Sequence, residues 1–381
     1  PDYPRVMKMG GRDRRSGHVA AVLIVVLAVT PLIIRTLIGT PTEGQRARSE
    51  RSILEERLTD LFAARAEALL AQETDGLAAF YDTSSVKGRQ ELSRQQQRVA
   101  DVVSWAAKRG VDFTTSSAQM AIKDMKFEGE TAVVSVHESA TLVYVGGSLR
   151  DSHRAGLGIR HRLTLVRRKE TWLVQEDDYT DPLIETPVAP VAAIAPVLPQ
   201  APSFLLAVTA QQEYDRRAAV RYANQYCGIA PGCGNNGEYN AHYADLTALG
   251  GDCTNFVSQV LGDPQAGGLP PTPIWNWDPD EHMGTAAWQQ TTAFAAFLTA
   301  SGYAKLIDQG RREAVRDGLR KLKPGDLIGY EEEGRIAHFA VITGQDPTGQ
   351  PVVNSHTSDR YQVPWDLGWP ESTVYWFFVI Q

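Results

Sequence analysis

"GGDCTNFVSQ", Gly250 to Gln259, holds Cys253, one of three cysteines in a chain of 381 residues. Apolar Phe256, Val257, Val260 and Leu261 follow at helical spacing. Gly250-Gly251 punctuate the start, and Asp252 suits an N-cap, so the stretch predicts a helix with Cys253 in its first turn. The backbone N–H groups and the positive dipole end found there favour a thiolate. The same N–H groups can hold an oxyanion when the thiolate attacks a carbonyl. A cysteine used only as a small hydrophobe is the commoner case, but it would sit more naturally in the apolar stripe beside Phe256 or Val260. Asp252 itself is read as a cap, with an orienting or substrate-binding role as the alternative.

A thiol nucleophile needs a proton shuttle, normally histidine. The tail supplies "IAHFAVI", Ile336 to Ile342, and "VVNSH", Val352 to His356. Strand alternation groups His338 with Ile336, Ala340 and Ile342 on one face. A short turn then brings the second strand alongside, with Asn354 or His356 near His338 and able to orient its ring. The other two cysteines, Cys227 and Cys233, bracket CGIAPGC across a Pro-Gly pair. In an exported chain they form a candidate disulfide, leaving Cys253 outside the pair. Three sulfurs without CxxC or HxxxH spacing make no recognisable metal site, and the expectation is no metal and no cofactor.

The ordered series GGDCTNFVSQ, Trp275 and Trp277, LKPGDLIGY, AHFAVIT and NSHT resembles the bacterial putative amidase domain. That domain is a papain-like group related to the NlpC/P60 and CHAP cell-wall hydrolases, and the resemblance runs from about residue 214 to 381. It implies Cys253 as nucleophile and His338 as general base. It also implies a third polar residue, placed at Asn354 when VVNSHT is aligned, with His356 as the alternative orienter. Trp275 and Trp277 are candidates for lining a substrate groove; core packing accounts for tryptophans equally well.

Upstream, residues 19–38 begin with the uncharged run VAAVLIVVLAVTPLII after Arg5, Lys8, Arg12, Arg14 and Arg15. The run reads as a transmembrane anchor behind a basic cytoplasmic N-terminus, residues 1–18, with the remainder extracellular. A cleaved signal segment, giving a secreted protein, is the rival. Residues 39–49 read as a polar spacer. Residues 50–180 run from helical patterns, through about Tyr81 and from Gln90 to Lys108, into Val/Thr-rich alternating segments. That order looks like the NTF2-like α+β fold, and its His137, His153 and His161 have no metal-ligand spacing. Residues 181–210 are a Pro/Ala-rich linker, and residues 211–381 form the last domain. The whole is expected to be α+β.

A net charge of −7 and a pI near 5.7 leave no basic footprint for nucleic acid. The expected function is an exported thiol hydrolase that cleaves amide or peptide bonds through a Cys-His-Asn acyl-enzyme. Its partners would be cell-wall peptide material and, through residues 19–38, the membrane. The alternatives are a non-catalytic cell-wall or protein binding module on the same fold, and acyl transfer to an amine.

Overall fold

Val, Thr and aromatic residues alternating between residues 112 and 178 fold as four long antiparallel strands. These are β1 (Asp112–Glu128), β2 (Thr131–Gly146), β3 (Asp151–Arg168) and β4 (Thr171–Asp178). The computed structural model describes residues 43–147, 150–183 and 213–381. The basic N-terminus, the apolar run 19–38 and most of the Pro/Ala-rich stretch 181–210 therefore lie outside the described residues. Among those described, no helix is long and apolar enough to cross a membrane.

Helix α1 (Glu43–Ala71) starts inside the stretch read as a spacer, and α2 (Val86–Arg109) follows. Ser85 caps α2 by accepting from Gly88 N, and Gly110 ends it in the left-handed conformation at φ 64°. Leu58, Leu61, Phe62, Val99 and Val102 of the two helices pack on Val134, Val136, Leu163 and Leu165 of the sheet. This face also buries charge: Arg65 and His161 both bond Asp177, and Glu138 takes the other nitrogen of His161. Burial pulls His161 down, but Asp177 and Glu138 outweigh it and leave its pKa raised.

The C-terminal part, from Glu213, begins with α3 (Arg216–Gln225), capped by Asp215 through Ala218 N. Then come α4 (Cys253–Gly262), the hairpin β5–β6 (Trp277–Asp278, Met283–Gly284), α5 (Ala286–Gln289) and α6 (Thr291–Ser301). Six more strands and a short helix complete it: β7 (Ala304–Arg311), α7 (Arg316–Leu319), β8 (Leu327–Glu332), β9 (Arg335–Gln345), β10 (Pro351–Ser355), β11 (Asp359–Pro364) and β12 (Val374–Ile380). Phe256, Val257, Val260 and Leu261 of α4 are fully buried, each contributing about 1.5–3 kcal/mol. They share a core with Phe339 and Val341 of β9 and with Phe294 and Leu298 of α6. The other face of the same strands packs Tyr330, Ala340, Ile342 and Val353 against Val315, Leu319 and Trp365.

One sheet runs through both parts in the order β1-β2-β3-β11-β10-β9-β8-β12-β7, with β4 on β3. The junction is antiparallel, with Asp359, Arg360 and Tyr361 opposite Gly158, Leu157 and Gly156. Residues Ile53–Gln381 form one compact unit. Strand β3 carries Gly156 and Gly158, residues that weaken a strand interior. The reason for them is steric. A Cβ on Gly156 would lie 2.1 Å from Pro231 O, and one on Gly158 would lie 2.6 Å from Ile229 Cγ1. The strand is bare where the loop 229–231 lies against it.

Candidate functional site

Cys253 is the first residue of α4 and is buried, 6% exposed. It therefore stands where the first N–H groups of a helix have no acceptor within the helix itself. The chain arrives through Gly250 and Gly251 at φ 117° and 119°, a left-handed pair that other residues would adopt only with strain.

Asp252 does not cap the helix; its side chain makes no capping bond. It holds the approach loop and a histidine instead. Oδ1 accepts from Leu246 N and Asn255 Nδ2, both at 2.9 Å, while Oδ2 lies 2.6 Å from His356 Nδ1. The other ring nitrogen of His356 lies 2.6 Å from the Tyr226 carbonyl. Both partners accept, so both bonds form together only when the ring carries two N–H groups. The imidazole is sandwiched between Tyr239, with centroids 3.6 Å apart, and Phe256 of α4, at 4.0 Å. Sequence reading had Asp252 as a cap and His356 as an alternative orienter of His338. The structure pairs these two with each other.

His338 lies elsewhere. Its ring neighbours Tyr330 and Trp369, and Tyr330 belongs to the core on the far side of the strands from α4. The expected grouping of His338 with Ile336 fails because the β8–β9 register slips between Tyr330 and Glu331. A bulge there turns Ile336 to the α4 side, with Phe339 and Val341. Ala340 and Ile342 stay on the His338 side, as expected. His338 Nε2 is buried without a hydrogen-bond partner among the described residues. Burial, with the nearby positive charges of Arg360 and His356, drives its pKa well below the ordinary histidine value.

Asn354 does not orient His338 either. Its amide donates to Ala223 O and Asn224 Oδ1, both at 3.0 Å, and accepts from Thr343 Oγ1 at 3.1 Å and Gln362 N at 2.8 Å. That fills its hydrogen-bonding capacity and ties β10 to α3 and β11. Trp275 is fully buried, with Nε1 on Ser258 Oγ at 3.0 Å, so it is core rather than groove. Trp277 is half-buried against Tyr243 and Trp288. The Cys227–Cys233 disulfide is present, with Cα atoms 5.5 Å apart. It closes the loop next to Tyr226, whose carbonyl faces His356.

Sequence reading missed three members of this assembly. Tyr239, stacked on His356, donates its hydroxyl to Asp359 Oδ1 at 2.5 Å. Asp359 is fully buried and also accepts from Ile229 N at 2.9 Å and from Arg160 Nη2 at 3.0 Å. Arg160 belongs to β3, so a chain of contacts runs from the first sheet through Asp359, Tyr239 and His356 to the residue before Cys253. The available signal was "HTSDRY", His356 to Tyr361, which places Asp359 two residues past Thr357, whose hydroxyl bonds Asp252 N at 2.7 Å.

Residues 213–379 match the family model described as "Putative amidase domain", which is under half of the chain. The match assigns this part to hydrolysis of amide C–N bonds in general. No curated protein matches. Among solved structures, the intermembrane space region of chloroplast protein ARC6 aligns at 13% identity over 35% of this chain and 95% of that one, with a TM-score of 0.26. A putative scytalone dehydratase from Novosphingobium aromaticivorans aligns at 14% over 37% and 86%, TM-score 0.25. A putative dehydratase of the NTF2-like family from Streptomyces avermitilis aligns at 12% over 35% and 96%, TM-score 0.26.

Proposed function

We propose that the protein is a thiol-dependent amide hydrolase of papain-like type, with Cys253 as nucleophile and His356, rather than His338, as its proton-transfer residue. The observation that carries this is the buried Asp252–His356 pair at the first residue of the helix that begins with Cys253. The His338 ring neighbours Tyr330, which belongs to the core on the opposite face of the strands from that helix.

The chemistry follows from those parts. Cys253 Sγ, as thiolate, attacks the amide carbonyl carbon, and the oxyanion rests on the N–H groups at the start of α4. The C–N bond breaks as the His356 ring, with Nε2 released from the Tyr226 carbonyl and Nδ1 kept on Asp252, gives its Nε2 proton to the leaving amine, which leaves an acyl thioester. Water then adds to the thioester, its proton returns to the ring, and the thiolate leaves the new acid. Amide and water become acid and amine, with no proton left over. Asp252 fixes the ring and offsets its positive charge.

The natural substrate class on this reading is cell-wall peptide, met outside the cell. The basic residues before the apolar run 19–38 favour an anchor with the hydrolase outside, and a disulfide suits an oxidising compartment. Release of amine from fluorogenic peptide amides and from purified cell-wall peptide tests the reading. Turnover should vanish in Cys253→Ser, fall at least 100-fold in His356→Asn, and change less than 5-fold in His338→Asn. Full turnover in Cys253→Ser would remove Cys253 as the nucleophile, absence of turnover in every form would leave a binding module, and loss in His338→Asn alone would restore His338 as the base.

A further inference from the structure

A cavity of about 440 Å³ opens where the first sheet meets the turn that precedes Cys253. Ser135 and His137 from β2, Arg160 and Arg162 from β3, Asp178 at the end of β4, and Thr247 line it. Ser135 and His137 alternate with the buried Val134 and Val136, so they present the face of the sheet turned away from α1 and α2.

Two polar atoms in this lining, Arg160 Nη1 and Thr247 Oγ1, are buried without a hydrogen-bond partner among the described residues. Leaving such atoms unsatisfied is costly and rare. Arg160 already spends Nη2 on Asp359, so Nη1 is the edge that remains, and the Thr247 hydroxyl can donate from the same lining. Arg162 adds a second, exposed guanidinium. Burial, followed by the positive charges of Arg160 and Lys123, pushes His137 down to about 4. It therefore stands neutral at pH 7 and can also donate an N–H.

We infer that this cavity binds a carboxylate, the acid end of a peptide chain, through Arg160 Nη1 and the Thr247 hydroxyl with Arg162 at its mouth. A singly charged planar acceptor fits the donors better than a phosphate dianion, because Asp178 in the same lining repels the second charge. The site is tied to the nucleophile. Thr247 precedes Cys253 by six residues, at most about 20 Å of extended chain. The segment is curled further by Leu246 N on Asp252 Oδ1 at 2.9 Å and Gly251 N on Leu246 O at 3.3 Å. A peptide reaching from this cavity toward Cys253 would be cleaved a fixed number of bonds from its free carboxyl end. That consequence rests on the amide-hydrolase reading, whereas binding itself does not.

The test is calorimetric titration of the full chain carrying Cys253→Ala with acetyl-Ala-Ala-Ala, with its C-terminal amide, and with inorganic phosphate. The free acid should bind at least 10-fold more tightly than the amide or phosphate. Arg162→Glu should weaken the acid at least 10-fold and Thr247→Val several-fold, with unchanged melting temperatures. Equal binding of acid and amide, tighter binding of phosphate, or indifference to both substitutions overturns the inference. Failure here with intact, Cys253-dependent turnover removes only the carboxylate site. Binding as expected with turnover surviving Cys253→Ser removes only the thiol-hydrolase reading.

Discussion

Replacing Asp252 separates two jobs that one carboxylate at a helix start can do. A cap is worth about 1 kcal/mol, and serine performs it as well as aspartate. The structure gives Asp252 a different task, as acceptor for Leu246 N, Asn255 Nδ2 and His356 Nδ1 in a setting where both it and His356 are at most 1% exposed. Asp252→Asn keeps an oxygen for the first two donors and loses the charged bond to the ring, a cost of about 1.5–3 kcal/mol. Asp252→Ser and Asp252→Ala leave Leu246 N, Asn255 Nδ2 and His356 Nδ1 buried without their acceptor, and each such loss costs about 1–3 kcal/mol. Urea denaturation with an unchanged m-value reads these differences directly. The expected order of stability is wild type, then Asn, then Ser and Ala together. Serine within about 0.5 kcal/mol of wild type, with alanine about 1 kcal/mol below, would show that Asp252 is a cap and would refute the pairing argument.

Other consequences are independent of that pair. His338 is held neutral by burial, so its native pKa lies below the unfolded value and the unfolded chain takes up its proton first as pH falls. Its contribution to stability is complete above about pH 6.5 and declines below it by up to about 1.4 kcal/mol per pH unit. His338→Phe should flatten the pH 7-to-5 limb of the stability profile, and an unchanged limb would contradict the shift. Gly156→Ala forces its new Cβ against Pro231 O, an overpacking cost of about 1–3 kcal/mol. Its denaturation midpoint should drop accordingly, and a neutral outcome would mean that the loop 229–231 does not lie on β3. Cys227→Ser with Cys233→Ser should lower stability by about 2 kcal/mol, as expected for so short a loop. The same pair should slow turnover through the Tyr226 carbonyl, and normal turnover would separate the disulfide from the site.

Local patterns carried much of this molecule. Helical spacing after Cys253 and the strand patterns of β9 and β10 were legible, as was the disulfide. Their determinants lie within a few residues of one another. What failed depended on partners far away in sequence. The bulge in β9 turns Ile336 against alternation, and nothing within IAHFAVI announces it. Nothing local to Gly156 and Gly158 announces that Pro231 and Ile229 lie on them. Asp252 looked like a cap because its real partner, His356, is 104 residues further on. Arg160 could not be connected to the site from sequence, because β3 reaches it only by pairing with β11.

The most direct measurement is the rate of Cys253 alkylation by iodoacetamide against pH, read by peptide mass spectrometry on the folded chain, beside His356→Asn and His338→Asn. A thiol activated at the start of α4 should label rapidly well below the ordinary thiol value of about 8.5. That labelling should slow at least 10-fold in His356→Asn and stay near wild type in His338→Asn. Labelling that rises only near pH 8.5 in all three proteins would contradict the account.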